Sequence, residues 1–245
     1  MGDFGLRRGE QTVRSAAFLL CLVFALITLV VMLTRGKIES ILMAAATVVL
    51  VCAPLLVQRL LRRTLSTPMY LFCLLYAVGP MLGVCYNFYY HITWWDKMLH
   101  IFGGLAFAVF GIYLFELLGG EGEHKVLMTA LFALSFSIAI SAVWEFAEFG
   151  ADQFLGMDMQ SDRVIHSIRS YFIGASAGET GTIEQIRSVA VDGRTLPVNG
   201  YLDIGLTDTM LDMLLESGGA LLVSLLYLTD RGRQLLLKQK GEENG

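Results

Sequence analysis

Six stretches of this 245-residue chain are apolar for long enough to cross a bilayer, and that leaves little choice of fold. A hydrocarbon core of about 30 Å takes roughly 20 largely apolar residues of helix. Within lipid, backbone polar groups must find their partners inside the segment or in a closed barrel. The spans fall at about 14–33, 39–57, 68–88, 97–118, 126–149 and 206–228. The first runs apolar from Ala16 to Leu33. It exceeds the core of a cleaved signal peptide, about 7–15 residues, and reads as a retained span. Pro54 falls near the end of the second span, and Gly79-Pro80 predicts a kink in the third, because proline removes a backbone donor. Only 16% of residues are charged and 55% are hydrophobic, against about 25% charged in soluble domains. The fold class is therefore all-α, a polytopic membrane helix bundle forming a single membrane domain over 1–245.

The segment 153–205 is the one sizeable polar piece and reads as a small extracytoplasmic cap. Gln160 to Tyr171 is expected to form a short helix lying on the membrane. Thr182–Val191, a turn at Asp192-Gly193 and Arg194–Ile204 are expected to form a β-hairpin.

Lysine and arginine set the orientation. The N-terminal segment (Arg7, Arg8, Arg14), the loop after the second span (Arg59, Arg62, Arg63), Lys125 and the C-terminal tail (Arg231, Arg233, Lys238, Lys240) carry eleven on one side. The other side has Arg35, Lys37, Lys97 and four arginines spread over the long loop. Both termini are thus expected in the cytoplasm, with the chain in the cell membrane. Tyr86, Tyr89, Tyr90, Trp94, Trp95 and Trp144 gather at the opposite interface as an aromatic belt. Cys21, Cys52, Cys73 and Cys85 all lie in apolar spans and form neither a disulfide framework nor a zinc spacing. No basic block suggests nucleic acid, and no phosphate-binding glycine loop or nucleophile elbow is present. The expected partners are membrane lipids; the oligomeric state stays open.

The acids carry the functional signal. Asp96 and His100 open the fourth span, Glu145, Glu148 and Asp152 close the fifth, and Asp208, Asp212 and Glu216 open the sixth. Spacings of three, four or seven place each set on one helix face. Ionisable residues inside a membrane are costly and mark functional sites by default. With spans four to six antiparallel, all eight are expected to converge on one outward-facing pocket. Carboxylates with one imidazole suit Mg²⁺, Mn²⁺ or Ca²⁺ better than zinc. A divalent cation held by Asp96, His100, Glu145, Glu148, Asp152, Asp208, Asp212 and Glu216 is one reading. Protons shared in a wet cavity are another. In the third, some acids merely cap helices or stay solvated, as Asp208 near a helix start would.

Trp95-Asp96-Lys97-Met98-Leu99-His100-Ile101-Phe102-Gly103-Gly104 resembles the opening block of VanZ-like membrane proteins and of the related YjdF-type family. Trp144-Glu145-Phe146-Ala147-Glu148-Phe149 with Asp152 is similar to the second YjdF-type block. Gly200–Leu206 with Asp208-Thr209-Met210, Asp212 and Gly219-Ala220 is similar to the third. The likeness covers roughly 94–224. Glu216 departs from it, since related chains commonly carry asparagine there. The resemblance implies the fold and the site. It implies little about activity: VanZ-like proteins are associated with teicoplanin-type resistance and the cell envelope, and the YjdF type has no known function.

Three functions compete. A metal-dependent enzyme on an envelope lipid would use Glu145 or Glu148 as base and His100 as ligand or acid. A non-catalytic envelope factor would bind lipid or a partner. A proton- or cation-coupled transporter would use the acids as a path, although no inverted repeat or broken helix pair is visible.

Overall fold

The structure, a computed structural model, describes residues 8–61 and 64–237. Arg7, Arg62, Arg63, Lys238 and Lys240, part of the orientation argument, lie outside the described residues. The helices are α1 (Arg8–Arg35), α2 (Ile38–Leu50), α3 (Ala53–Leu61), α4 (Thr67–Cys85), α5 (Phe88–His91), α6 (Trp95–Leu117), α7 (Lys125–Leu155), α8 (Leu206–Tyr227) and α9 (Asp230–Leu237). Among the described residues, six segments are long and apolar enough to cross a membrane: α1, α2 with α3, α4, α6, α7 and α8. The protein is a multi-pass helical bundle, as the apolar runs require.

The second span consists of two helices in succession. Pro54 has no N–H to return to the Leu50 carbonyl. The chain tightens at the junction, where Cys52 N bonds Val49 O at 3.0 Å, and α3 starts afresh with Leu55 N on Cys52 O at 3.1 Å. In contrast, α4 runs through Pro80 as one helix. It starts at Ser66, whose Oγ accepts from Met69 N, with Pro68 in its first turn.

Contacts divide the chain into two compact units. The first takes the segments up to Ala142 and from Met213 onward; the second is Val143–Asp212. In the first, α1 and α2 pack on each other and both on α4, and α4 packs on α6. Helix α1 buries a narrow stripe, Ala25, Thr28 and Met32, and turns most of its large side chains outward. At its start Arg14 is buried. Its guanidinium donates to Leu65 O and Gln58 Oε1 and lies 4.8 Å over the Tyr70 ring. Edge-on pairs, Phe72 with Phe102 and Tyr76 with Phe107, knit α4 to α6. Trp95 Nε1 donates to Gly79 O at 3.1 Å beside Pro80. Ala108 and Ile112 of α6, Ala130 and Ala133 of α7, and Ala220, Val223 and Tyr227 of α8 form a buried core.

The second unit holds the cap, whose strands are short. They are β1 (Val164–Ile165), β2 (Ile168–Ser170), β3 (Gly181–Ile183), β4 (Ala190–Val191), β5 (Arg194–Thr195) and β6 (Tyr201–Leu202). They pair antiparallel as β1 with β6, β2 with β3 and β4 with β5. The helix expected over 160–171 is therefore replaced by β1, β2 and the start of a 3₁₀ turn. Val164, Ile165 and Ile168 are β-branched. The amides of Met159, Gln160 and Ser161 are taken by aspartate side chains rather than by helix carbonyls. The expected hairpin survives only around its turn. Asp192 and Gly193 have φ of +50° and +76°, the pattern of a type I′ turn. Pro197, which has no donor, follows directly on the last ladder bond, Leu196 N to Val189 O. Thr182 instead joins β2 across the cap.

Candidate functional site

In the first unit α6 and α8 meet backbone to backbone. A methyl group on Gly104 would overlap the Glu216 carbonyl oxygen, and one on Gly219 would crowd Ile101 O. Only small residues permit this approach. Ser137 Oγ of α7 donates to Gly104 O at 3.3 Å on the same turn. The close crossing brings a carboxylate of α8 to an imidazole of α6. His100 Nδ1 is 3.5 Å from Glu216 Oε2, and His100 Nε2 is 3.7 Å from Asp96 Oδ1 one turn away. Lys97 Nζ donates to Asp96 Oδ2 at 3.0 Å. His100 and Glu216 are buried, and Asp96 is partly open. Glu216 Oε1 is buried and has no hydrogen-bond partner among the described residues. A buried carboxylate oxygen without a donor is costly, and this one belongs to a carboxylate that lies beside an imidazole. An imidazole nitrogen and a carboxylate oxygen at this distance are two ligands that a divalent cation takes.

The second unit contains the other acids. Glu145 and Glu148 are buried on one face of α7, and Trp144 Nε1 donates to Glu148 Oε1 at 2.9 Å. Asp152, further along that face, accepts from Met159 N at 2.6 Å and Gln160 N at 3.0 Å. Asp208 on α8 accepts from Ser161 N at 3.1 Å and lies 3.7 Å from an Arg163 terminal nitrogen. Gln160 Nε2 donates to Thr209 Oγ1 at 2.6 Å. Residues 159–163 are thus strapped to the end of α7 and the start of α8 by carboxylates that accept backbone donors. Asp212 is buried one turn beyond Asp208 on α8, and Glu216 follows one turn later on the same face.

Two further cap acids flank this strap: Asp203, which the sequence placed in the third family-like block without a site role, and Asp158, which it did not single out. Asp203 accepts from Arg163 N at 3.2 Å and Thr207 N at 2.9 Å, and so holds the entry to α8. Burial pushes its carboxyl up. Hydrogen bonds from Thr207 and Arg163, with the Arg163 charge, outweigh this and hold it below the usual carboxylate range. Its place just ahead of a helix start was the available signal. Asp158 goes the other way: burial, then the nearby charges of Asp162 and Asp152, raise it. These three acids line a cavity of about 410 Å³ with Phe149, Met157 and Leu206. Gly205 lies against it with φ of +78° and no space for a Cβ beside Gln160, so glycine is required there on both grounds.

A family profile described as "Predicted membrane protein (DUF2238)" matches residues 16–233. The chain belongs to this family. The match takes in all eight acidic and histidine residues named above, the cap and the six spans from Ala16 onward. The YjdF type is this DUF2238 family, and the match carries no link to the VanZ-like proteins. No curated protein and no solved structure matches the chain. Of the residues picked out in this DUF2238 chain, His100 stands between Asp96 and Glu216, with Nε2 toward the first and Nδ1 toward the second. Glu145, Glu148 and Asp152 share a face of α7, and Asp208 and Asp212 share a face of α8 with Glu216.

Proposed function

We propose that His100, through Nδ1, and Glu216 hold a divalent cation, Mg²⁺, Mn²⁺ or Ca²⁺, and that the protein uses it to bind or act on an envelope lipid. The observation that carries this reading is the buried Glu216 Oε1, which lacks a donor beside an imidazole already 3.5 Å from its partner oxygen. Glu216 supplies a hard oxygen ligand and His100 Nδ1 a nitrogen, and the remaining positions of a divalent cation would go to water or a substrate oxygen. A cation there would polarise a phosphoryl oxygen of a lipid headgroup. Cell-membrane placement with cytoplasmic termini is part of the proposal and rests on the lysine and arginine asymmetry.

The test is elemental analysis and lipid mass spectrometry of the detergent-purified protein. A divalent ion present in the native chain and lost in Glu216→Gln supports the reading. An ion-free native chain whose melting is unmoved by millimolar Mg²⁺, Mn²⁺ or Ca²⁺ ends it.

A second reading, a lipid-binding envelope factor without chemistry, is favoured by the cavity lined by Phe149, Met157 and Leu206. It expects a co-purifying lipid that survives Glu216→Gln and is lost when the cap is altered.

A further inference from the structure

The cap carries an apolar tip that its own folding leaves bare. Tyr171, Phe172 and Ile173 form a 3₁₀ turn after β2; Phe172 is 100% exposed, Tyr171 69% and Ile173 39%. The turn is held in shape. Ser170 Oγ accepts from Phe172 N at 3.1 Å, and Gly174 N donates to Tyr171 O at 3.3 Å. Gly174 and Gly181 bring the backbones of Glu179 and Ile173 too close for any Cβ. These bonds and contacts fix a large aromatic ring pointing away from its own unit, an arrangement that water penalises.

The root of the tip is tied to a membrane-spanning helix. Strand β1 pairs with β6, Val164 opposite Leu202 and Ile165 opposite Tyr201. Asp203 then bonds Thr207 N in the first turn of α8. Tyr171 is six residues from Ile165, so the tip stands within about 20 Å of that root even if extended. Arg169, exposed two residues before the tip, spends its Nε on Thr182 Oγ1 and carries a charge suited to lipid phosphates.

We propose that the Tyr171–Ile173 tip inserts into the bilayer interface, with Phe172 at the acyl boundary and Arg169 on the phosphates. An aromatic body with a neighbouring cation is the composition that settles at that depth.

The full-length variants Phe172→Cys and Asp192→Cys, the latter at the polar turn of the other hairpin, test this. Each is labelled with an environment-sensitive fluorophore and reconstituted, one chain per nanodisc, in phosphatidylcholine with phosphatidylglycerol. The unsubstituted chain, labelled in parallel, gives the background from Cys21, Cys52, Cys73 and Cys85. Doxyl-labelled lipid is expected to quench position 172 severalfold more than position 192, with blue-shifted emission at 172. Equal quenching at both overturns the proposal. So does a blue shift at 172 that needs more than one chain per disc, which would make the tip a contact between copies. Melting curves matching the native chain confirm that both variants fold.

Discussion

Glu216 Oε2 lies 3.5 Å from His100 Nδ1, and Glu216 falls halfway along α8, where a charge is most expensive in a membrane-spanning helix. Insertion scales place an acid at a helix centre at about 2.5–3.5 kcal/mol. The Glu216→Gln variant removes that charge. It should melt at or above the temperature of the native protein without added metal. It should also lose the stabilisation by Mg²⁺, Mn²⁺ or Ca²⁺, which reaches about 2.7 kcal/mol at a hundredfold excess over Kd. Thermal unfolding in detergent with and without each ion measures both. Equal metal shifts in the two proteins would remove Glu216 from the ligand set.

Gly104 and Gly218 give a paired test of the α6–α8 crossing. Gly104→Ala should destabilise by about 1–3 kcal/mol, because the methyl must push α8 away from the turn that carries His100. Gly218→Ala meets nothing within 4 Å. It should be neutral or stabilising by up to about 1 kcal/mol through helix propensity. Unfolding curves of both variants decide it, and equal losses would show that the crossing is not tight.

Asp203 and Asp158 should respond oppositely to pH. The Asp203 carboxyl is held low, so its contribution is present above the unfolded value near 3.9 and is lost as pH falls through the lower folded value. Asp158 is raised. Its contribution is present below the unfolded value and declines as pH rises through the folded one. At pH 7, Asp203→Ala should loosen the entry to α8 by about 1 kcal/mol, and Asp158→Asn should tighten the cap slightly. Amide exchange of Thr207 and of the β1–β6 pair reads both; slower exchange in Asp203→Ala would refute the strap.

Arg14 offers a test within the first unit. Its planar guanidinium bonds Leu65 O and Gln58 while lying over the Tyr70 ring. Lysine cannot reproduce a fork and a stack together. Arg14→Lys should therefore lose about 1–3 kcal/mol and approach the loss seen in Arg14→Ala. Full rescue by lysine in a melting assay would reduce the contact to charge alone.

The spans were legible because apolar runs of this length admit few alternatives, and α1, α4, α6, α7 and α8 fall where the runs lie. The break at Val51-Cys52 was half legible: Pro54 was visible, but its consequence depends on local carbonyl geometry. The cap was the hard part. Its strands are two or three residues long, too short for any period to show, and they pair across distant stretches such as Val164 with Leu202. The acids on α6, α7 and α8 were legible from spacing alone. The strap roles of Asp152 and Asp208 were not, because they depend on where Met159, Gln160 and Ser161 present their amides.

The Asp192-Gly193 turn closes a hairpin of only two residue pairs, and all four of those strand residues are exposed. An epitope or a glycosylation acceptor spliced between the two residues would disturb no core packing. Antibody or glycan-transferase access in intact cells would then report on which side of the membrane this family displays its cap.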